Sequence, residues 1–267
     1  MSNVMAILAG DGDIPSLAIK TAIKKNYNIL VIALTKDSYN NLKLITKNCY
    51  HIEPVKSGRI IKAIKDFGAG EVVLVGSVNR GILYRGTKPD ITTIRAITKL
   101  RGFDDKNIVN AIEDILSKSG ITLLSQRELL NEYMAPSGSI AGKKPPSSIM
   151  KQVKKFMPIA KSFARMGAGQ VMVIKNNTIV AIEGMEGTNE TIQRAGALVG
   201  EGIIVIKATS EDHDYRLDMP TVGIETLKAV ERVGGGYIVI EAGRILILDI
   251  DKFKKTAKEL KISVYGY

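Results

Sequence analysis

Three short strand-like runs, at 4–8, 29–34 and 71–75, apolar throughout apart from the opening Glu71, alternate with segments whose apolar side chains recur at helical spacing. A strand that is apolar along its whole length must be covered on both faces, which a parallel sheet joined by helical crossovers achieves. The first half of the chain is therefore expected to be a Rossmann-like parallel α/β arrangement. The first run ends in Gly10-Asp11-Gly12, after which Pro15 and the series Leu17, Ile19, Ala22 and Ile23 read as a helix. A helix over 56–67 puts Ile60, Ile61 and Ile64 on one side, and further helices are predicted over 91–100 and 107–117, ahead of a short strand at 122–124.

The 267 residues leave room for a second domain. The texture changes at Ala135-Pro136-Ser137-Gly138 and again at Lys143-Lys144-Pro145-Pro146-Ser147-Ser148, where the proline pair forbids a continuous helix and Ser148 can cap a new one running through Val153, Phe156 and Ile159 to Phe163. The expected division is a Rossmann-like domain over 1–134, a linker over 135–150 and a distinct α/β domain over 151–267. Strands are predicted there at 170–175, 178–183, 203–207, 236–241 and 245–250, with helices at 190–199, 225–232 and 252–260. Asn176-Asn177 suits a hairpin turn between the first two strands, because asparagine tolerates the left-handed backbone such turns need.

Composition narrows the chemistry. Hydrophobic residues make up 45% and charged residues 24%, as in ordinary globular chains. No apolar run approaches the roughly 20 residues that span a bilayer, and the start lacks a secretory pattern, so a cytoplasmic location is expected. One cysteine, Cys49, and two histidines, His51 and His213, support neither an internal disulfide nor a zinc site of the usual kind, and neither histidine lies near a nucleophile motif. Catalysis would fall to carboxylates, lysines, arginines or a hard cation. The net charge of +11 favours anionic partners. Between Glu132 and Glu183 there is no acidic residue, while Lys143, Lys144, Lys151, Lys154, Lys155, Lys161, Arg165 and Lys175 fall there, which fits either an anion-facing surface or a solvated basic face. With five phenylalanines, nine tyrosines and no tryptophan, the chain has few platforms for stacking bases, and no nucleic-acid partner is expected.

Several blocks carry candidate chemistry. Gly10-Asp11-Gly12-Asp13-Ile14-Pro15 can be a phosphate-approaching turn or a plain strand–helix turn, and it lacks the third glycine of the dinucleotide fingerprint. Glu183-Gly184-Met185-Glu186-Gly187-Thr188-Asn189-Glu190 follows a strand and opens a helix, so its carboxylates serve a ligand or the helix start. In the cluster from Glu211 to Pro220, an extended backbone would point Asp214, Arg216 and Asp218 to one side, as a cation and phosphate site or as a salt-bridged surface loop. Glu241 ends an apolar strand before Ala242-Gly243, at the end of a strand where open α/β sheets place ligands.

These blocks, together with Lys88-Pro89-Asp90, Asp104-Asp105, Gly169-Gln170, Val205-Ile206-Lys207 and Thr221-Val222-Gly223, occur in the order seen in the LpxI family, and the chain resembles that family over essentially its whole length. The resemblance implies hydrolysis of the pyrophosphate of UDP-2,3-diacylglucosamine, with Mg2+, by water attack on the uridine-side phosphorus, and a UDP-linked diacylated glucosamine as partner. It implies catalytic roles for Asp214 and Asp218 in the second domain, and metal ligation by Asp214, Asp218 and Glu186. Substrate contacts are implied for Gly10, Gly12, Arg80, Asp90, Gln170, Thr188, Lys207, Arg216 and Glu241. Lys207 and Arg216 would clamp phosphate. Three blocks depart from the family pattern: Asn189 replaces an aspartate, His213 a glutamine and Gly81 a proline. A diacylated substrate also implies peripheral contact with an anionic membrane, for which the basic stretch is the natural surface. The rival readings are a non-catalytic binder of a nucleotide-linked or lipid-linked sugar and a dinucleotide-dependent oxidoreductase.

Overall fold

The computed structural model describes residues 3–78, 88–98 and 105–267, which form two compact units. Unit 1 comprises Met1–Asn131 and, from the far half of the sequence, Asp214–Met219; unit 2 comprises Glu132–His213 and Pro220–Tyr267.

Unit 1 runs β1 (Val4–Ala9), α1 (Ile14–Lys24), β2 (Asn28–Ala33), α2 (Lys36–Leu42), β3 (Cys49–His51), α3 (Ser57–Phe67), β4 (Glu71–Val75), α4 (Ile91–Ile97), α5 (Asp105–Ser117), β5 (Thr122–Leu124) and α6 (Gln126–Leu130). Its sheet has the order β3-β2-β1-β4-β5 and every pair is parallel, the doubly wound arrangement expected from the apolar runs. Ala6, Leu8, Leu30, Ile32 and Val72 of the sheet pack with Ile60 and Ile64 of α3 and Val109 and Leu116 of α5. Helix α2 and strand β3 escape the sequence reading because a three-residue strand with Tyr50 exposed is too short to show a period.

At the switch point between β1 and β4, the backbones close on each other. Gly10 N donates to Val75 O at 2.8 Å, and Asp11 and Ser77 exchange hydrogen bonds of 2.8 and 3.0 Å. A Cβ on Gly10 would lie 2.3 Å from Ser77 O, so this glycine is required by backbone approach.

Unit 2 runs β6 (Gly138–Ala141), α7 (Ser147–Arg165), β7 (Val171–Lys175), β8 (Thr178–Ile182), α8 (Thr188–Val199), β9 (Ile204–Lys207), β10 (Thr221–Val222), α9 (Ile224–Arg232), β11 (Tyr237–Ile240), β12 (Leu246–Ile247), α10 (Ile250–Glu259) and β13 (Ser263–Gly266). The larger sheet has the order β6-β13-β11-β9-β7-β8, with β9, β11 and β13 parallel and β6, β7 and β8 antiparallel to their neighbours. Alternation at period two assigns its faces. Met172, Ile174, Ile204, Ile206 and Val239 meet Val153, Phe156, Met157 and Ala160 of α7. Val171, Val173, Val205, Ile238, Ile240 and Val264 meet Ile192 of α8, Leu227 and Val230 of α9 and Phe253 of α10.

Two expectations are corrected here. The stretch 135–150, read as a linker from its proline and glycine content, contains β6 and the first turn of α7, because Ile140 and Ala141 are buried in the unit 2 core. The strand expected over 245–250 shrinks to β12, because Asp249 turns left-handed at φ 47° and caps α10 through Lys252 N at 3.3 Å. The Asn176-Asn177 hairpin forms as expected, with both residues left-handed at φ 48° and 64°.

Candidate active site

The parallel strands β9 and β11 of unit 2 end side by side, with Lys207 opposite Ile240 and the start of β7 opposite Lys207. Four polar side chains are buried at this edge: Glu183, Lys207, Thr209 and Glu241. Buried charges need partners, and two groups supply them. In the first, Glu183 Oε2 accepts Gln170 N at 2.7 Å and Val171 N at 2.9 Å, while Oε1 accepts Thr188 Oγ1 at 2.8 Å. Lys207 Nζ donates to the same Thr188 hydroxyl at 3.2 Å. Gln170, Thr188 and Lys207, three of the implied substrate-binding residues, thus meet around one carboxylate. Gly169 admits it, since a Cβ there would lie 2.7 Å from Glu183 Cβ.

In the second group, Glu241 Oε2 accepts Thr209 N at 3.0 Å, and Oε1 faces Lys161 Nζ at 3.2 Å and Arg244 Nε at 3.5 Å. Lys161 also reaches Glu211 Oε1 at 3.3 Å. Arg244 holds the carbonyls of Ser210 and Glu211. Burial pushes the Lys161 ammonium down, but hydrogen bonds and charge from Glu241 and Glu211 outweigh it and hold the group above its ordinary value. A cleft of about 750 Å3 opens beside this group, with Lys161, Arg165 and Glu241 among its charged walls and Met157 and Pro158 among its apolar ones. The edge therefore offers cations held in place by buried carboxylates, an arrangement able to receive phosphate oxygens.

In unit 1, the Asp214–Met219 segment is a turn, which corrects the extended row of Asp214, Arg216 and Asp218. Asp214 Oδ1 accepts Arg216 N at 3.0 Å and Arg216 Nε at 2.9 Å, and Oδ2 accepts Arg216 Nη2 at 2.6 Å, so the i to i+2 bond bends the chain. Arg216 Nη1 also meets Glu113 Oε2 of α5 at 2.5 Å. Bonds to Asp214, then against burial the bond to Glu113, hold the guanidinium protonated well above its usual range. Asp218 is exposed. Tyr215 O accepts Gln126 N at 2.9 Å, and Leu217 packs on the unit 1 core, which is why this segment belongs to unit 1 and not to the second domain expected to carry the carboxylates.

Asp90 sits where two helices begin. Its Oδ1 accepts Thr93 N and Thr93 Oγ1, both at 2.9 Å, capping α4, and its Oδ2 accepts Gly58 N at 2.8 Å in α3. Gly12 is left-handed at φ 101° in the β1–α1 turn, and Asp11 Oδ1 accepts Thr35 Oγ1 at 2.5 Å. Arg80 lies outside the described residues. Glu186 in unit 2 pairs with Arg194 at 2.5 Å and accepts Thr191 Oγ1 at 3.2 Å, and this pairing pulls its carboxyl below the ordinary range. Cys49 is buried, which pushes its thiol up and makes it a poor nucleophile. Among the described residues, no three His, Cys, Asp or Glu side chains are grouped to hold a metal ion.

Sequence reasoning offered Glu183 only as one of the carboxylates at a helix start and Lys161 only within the basic stretch, and did not single out Thr209, Arg244 or Glu113. Glu183 carries the signal that marks Glu241, a carboxylate ending an apolar strand before glycine or alanine. Glu113 carries none, since its partner lies 103 positions away.

Residues 4–133 match the LpxI N-terminal domain and residues 136–265 match the LpxI C-terminal domain. UDP-2,3-diacylglucosamine pyrophosphatase LpxI of Caulobacter vibrioides is 28% identical over 222 residues, 78% of each chain. Among solved structures, the Bordetella bronchiseptica enzyme WbmG in complex with NAD aligns over 45% of this chain and 36% of its own, with 19% identity and a TM-score of 0.30. The biotin carboxylase subunit of pyruvate carboxylase aligns over 70% of this chain and 39% of its own, with 17% identity and a TM-score of 0.26. Both structural likenesses are too weak to speak for a shared fold or ligand.

Proposed function

Because this chain belongs to the LpxI family, we propose that it hydrolyses UDP-2,3-diacylglucosamine at the pyrophosphate bond, releasing UMP and 2,3-diacylglucosamine 1-phosphate. The observation that carries this reading is the match to both family domains from residue 4 to residue 265. The proposed mechanism is water attack on the uridine-side phosphorus, in the cytoplasm. Charge develops on the phosphate oxygens and the leaving group as the bond breaks, and preorganised cations lower that barrier. Lys207 and Arg216 are the proposed phosphate contacts, and Gln170, Thr188 and Glu241 the residues that hold the edge around Lys207. Asp214, paired with Arg216, is proposed to orient the water, with Asp218 two peptide units beyond Arg216 in the chain.

Magnesium belongs to the proposal only at the level of the whole reaction. The carboxylates named for it do not stand ready: Asp214 is engaged by Arg216 through both oxygens, and Glu186 by Arg194. These residues as placed do not fit the ion. Magnesium commonly binds through substrate phosphates with few protein ligands, so chelation with EDTA is expected to remove turnover, and turnover that survives chelation would refute the requirement.

The test is incubation of the purified protein with UDP-2,3-diacylglucosamine in oxygen-18 water, followed by mass analysis. Heavy oxygen in UMP is expected. Label in the lipid phosphate would keep the reaction and reverse the attacked phosphorus. Intact substrate despite binding would leave a non-catalytic binder.

A further inference from the structure

Helix α7 carries its exposed charge on one side. Lys151, Lys154, Lys155, Pro158, Ile159, Ser162, Arg165 and Met166 are exposed, and at 3.6 residues per turn they fall within an arc of about 140°. The opposite side, Val153, Phe156, Met157 and Ala160, is buried against the unit 2 sheet. Lys143 and Lys144, just ahead of the helix, are also exposed. Among the described residues no carboxylate pairs with Lys151, Lys154, Lys155 or Arg165, and the sequence has no acid from 133 to 182 to offset them. Two large apolar side chains stand among these cations, Ile159 at 41% and Met166 at 77% exposure.

We propose that this face of α7 docks on an anionic lipid bilayer, with the lysines against headgroup phosphates and Ile159 and Met166 entering the interfacial layer. Charge complementarity selects an anionic partner, and the protruding apolar pair selects a surface with an apolar interior. Nucleic acid fits less well, because the aromatic side chains of α7, Phe156 and Phe163, face inward and leave no stacking platform. The choice of a lipid surface rests in part on the proposed diacylated substrate.

Vesicle co-sedimentation tests the surface. The protein is expected to bind phosphatidylglycerol-containing vesicles at low salt and to leave pure phosphatidylcholine vesicles unbound. Combined Lys151→Glu, Lys154→Glu and Lys155→Glu is expected to weaken binding at least about a hundredfold, at about fivefold for each basic charge removed. Ile159→Asp with Met166→Asp is expected to weaken it with the charges intact. Both variants should hydrolyse detergent-dispersed substrate at the wild-type rate, which shows that they are folded. The proposal is overturned by wild-type protein that ignores anionic vesicles, by variants that bind as wild type does, or by duplex DNA that displaces the vesicles and binds more tightly. Vesicle binding without hydrolysis of dispersed substrate by the wild type would overturn the proposed function and leave the docking surface standing.

Discussion

Asp214 and Arg216 are two positions apart and bind each other as a folded unit, a bidentate pair that also reaches Glu113. Replacing Asp214 by Asn keeps the turn's acceptor and removes the charge. Turnover is expected to fall by about 100-fold to 10,000-fold, the range for loss of a side chain that acts on the attacking water, with substrate binding largely kept, as separate kcat and KM measurements will show. Glu241 holds one backbone donor and faces two cations in a buried place, so Glu241→Ala leaves Lys161 and Arg244 without their shared counter-charge. A loss of about 3–5 kcal/mol in denaturant unfolding is expected, with Glu241→Gln milder because it still accepts from Thr209 N. Asp90 behaves differently because it caps two helices. Burial acts to raise its pKa, but hydrogen bonds from Thr93, Gly58 and Arg59 win and depress it below the ordinary aspartate value. A carboxylate whose folded pKa is depressed stabilises the fold above the unfolded value near about 3.9, and that contribution fades as acid protonates the folded form. Unfolding curves should therefore show wild type ahead of Asp90→Ala by about 1 kcal/mol at neutral pH, with the gap narrowing below about pH 4. A constant gap across that range would contradict the capping account.

The β7–β8 hairpin was readable in sequence because its turn demands a backbone that few residues tolerate, and Asn176 and Asn177 both adopt it. Asn177→Ala is expected to destabilise unit 2 by about 1 kcal/mol while Asn177→Gly is neutral or better, a contrast that thermal denaturation resolves. Helix α7 was equally visible from its apolar spacing after Pro145-Pro146. Short elements were not: β3, β6 and β10 span three, four and two residues, and no period can appear in so few. Their existence depends on the neighbour they pair with, β2, β13 and β12 respectively.

The assignment of Asp214–Met219 to unit 1 makes one unit depend on residues from the other half of the chain. Leu217 contributes to the unit 1 core and Tyr215 places its ring 5.3 Å from the Arg127 guanidinium. Leu217→Ser is expected to destabilise unit 1 selectively by about 1–2 kcal/mol, given its partial burial, and to raise amide exchange in α5 and β5 more than in β9 or β11. Equal loosening of both units would argue against that dependence. By itself the sequence determined the parallel α/β class, the turn at Asn176-Asn177, the amphipathic α7 and the candidate strand ends at Lys207 and Glu241. Each of these rests on local periodicity or on a backbone preference that a short window carries. Only the tertiary structure decided that Glu183 gathers Gln170, Thr188 and Lys207, that Asp90 is a double cap, and that the Asp214 turn is held by Glu113. Each arrangement is completed by a partner no short window contains, Lys207 19 positions from Thr188, Gly58 32 from Asp90 and Glu113 103 from Arg216, and each charge acquires its meaning only from the group that folding brings against it.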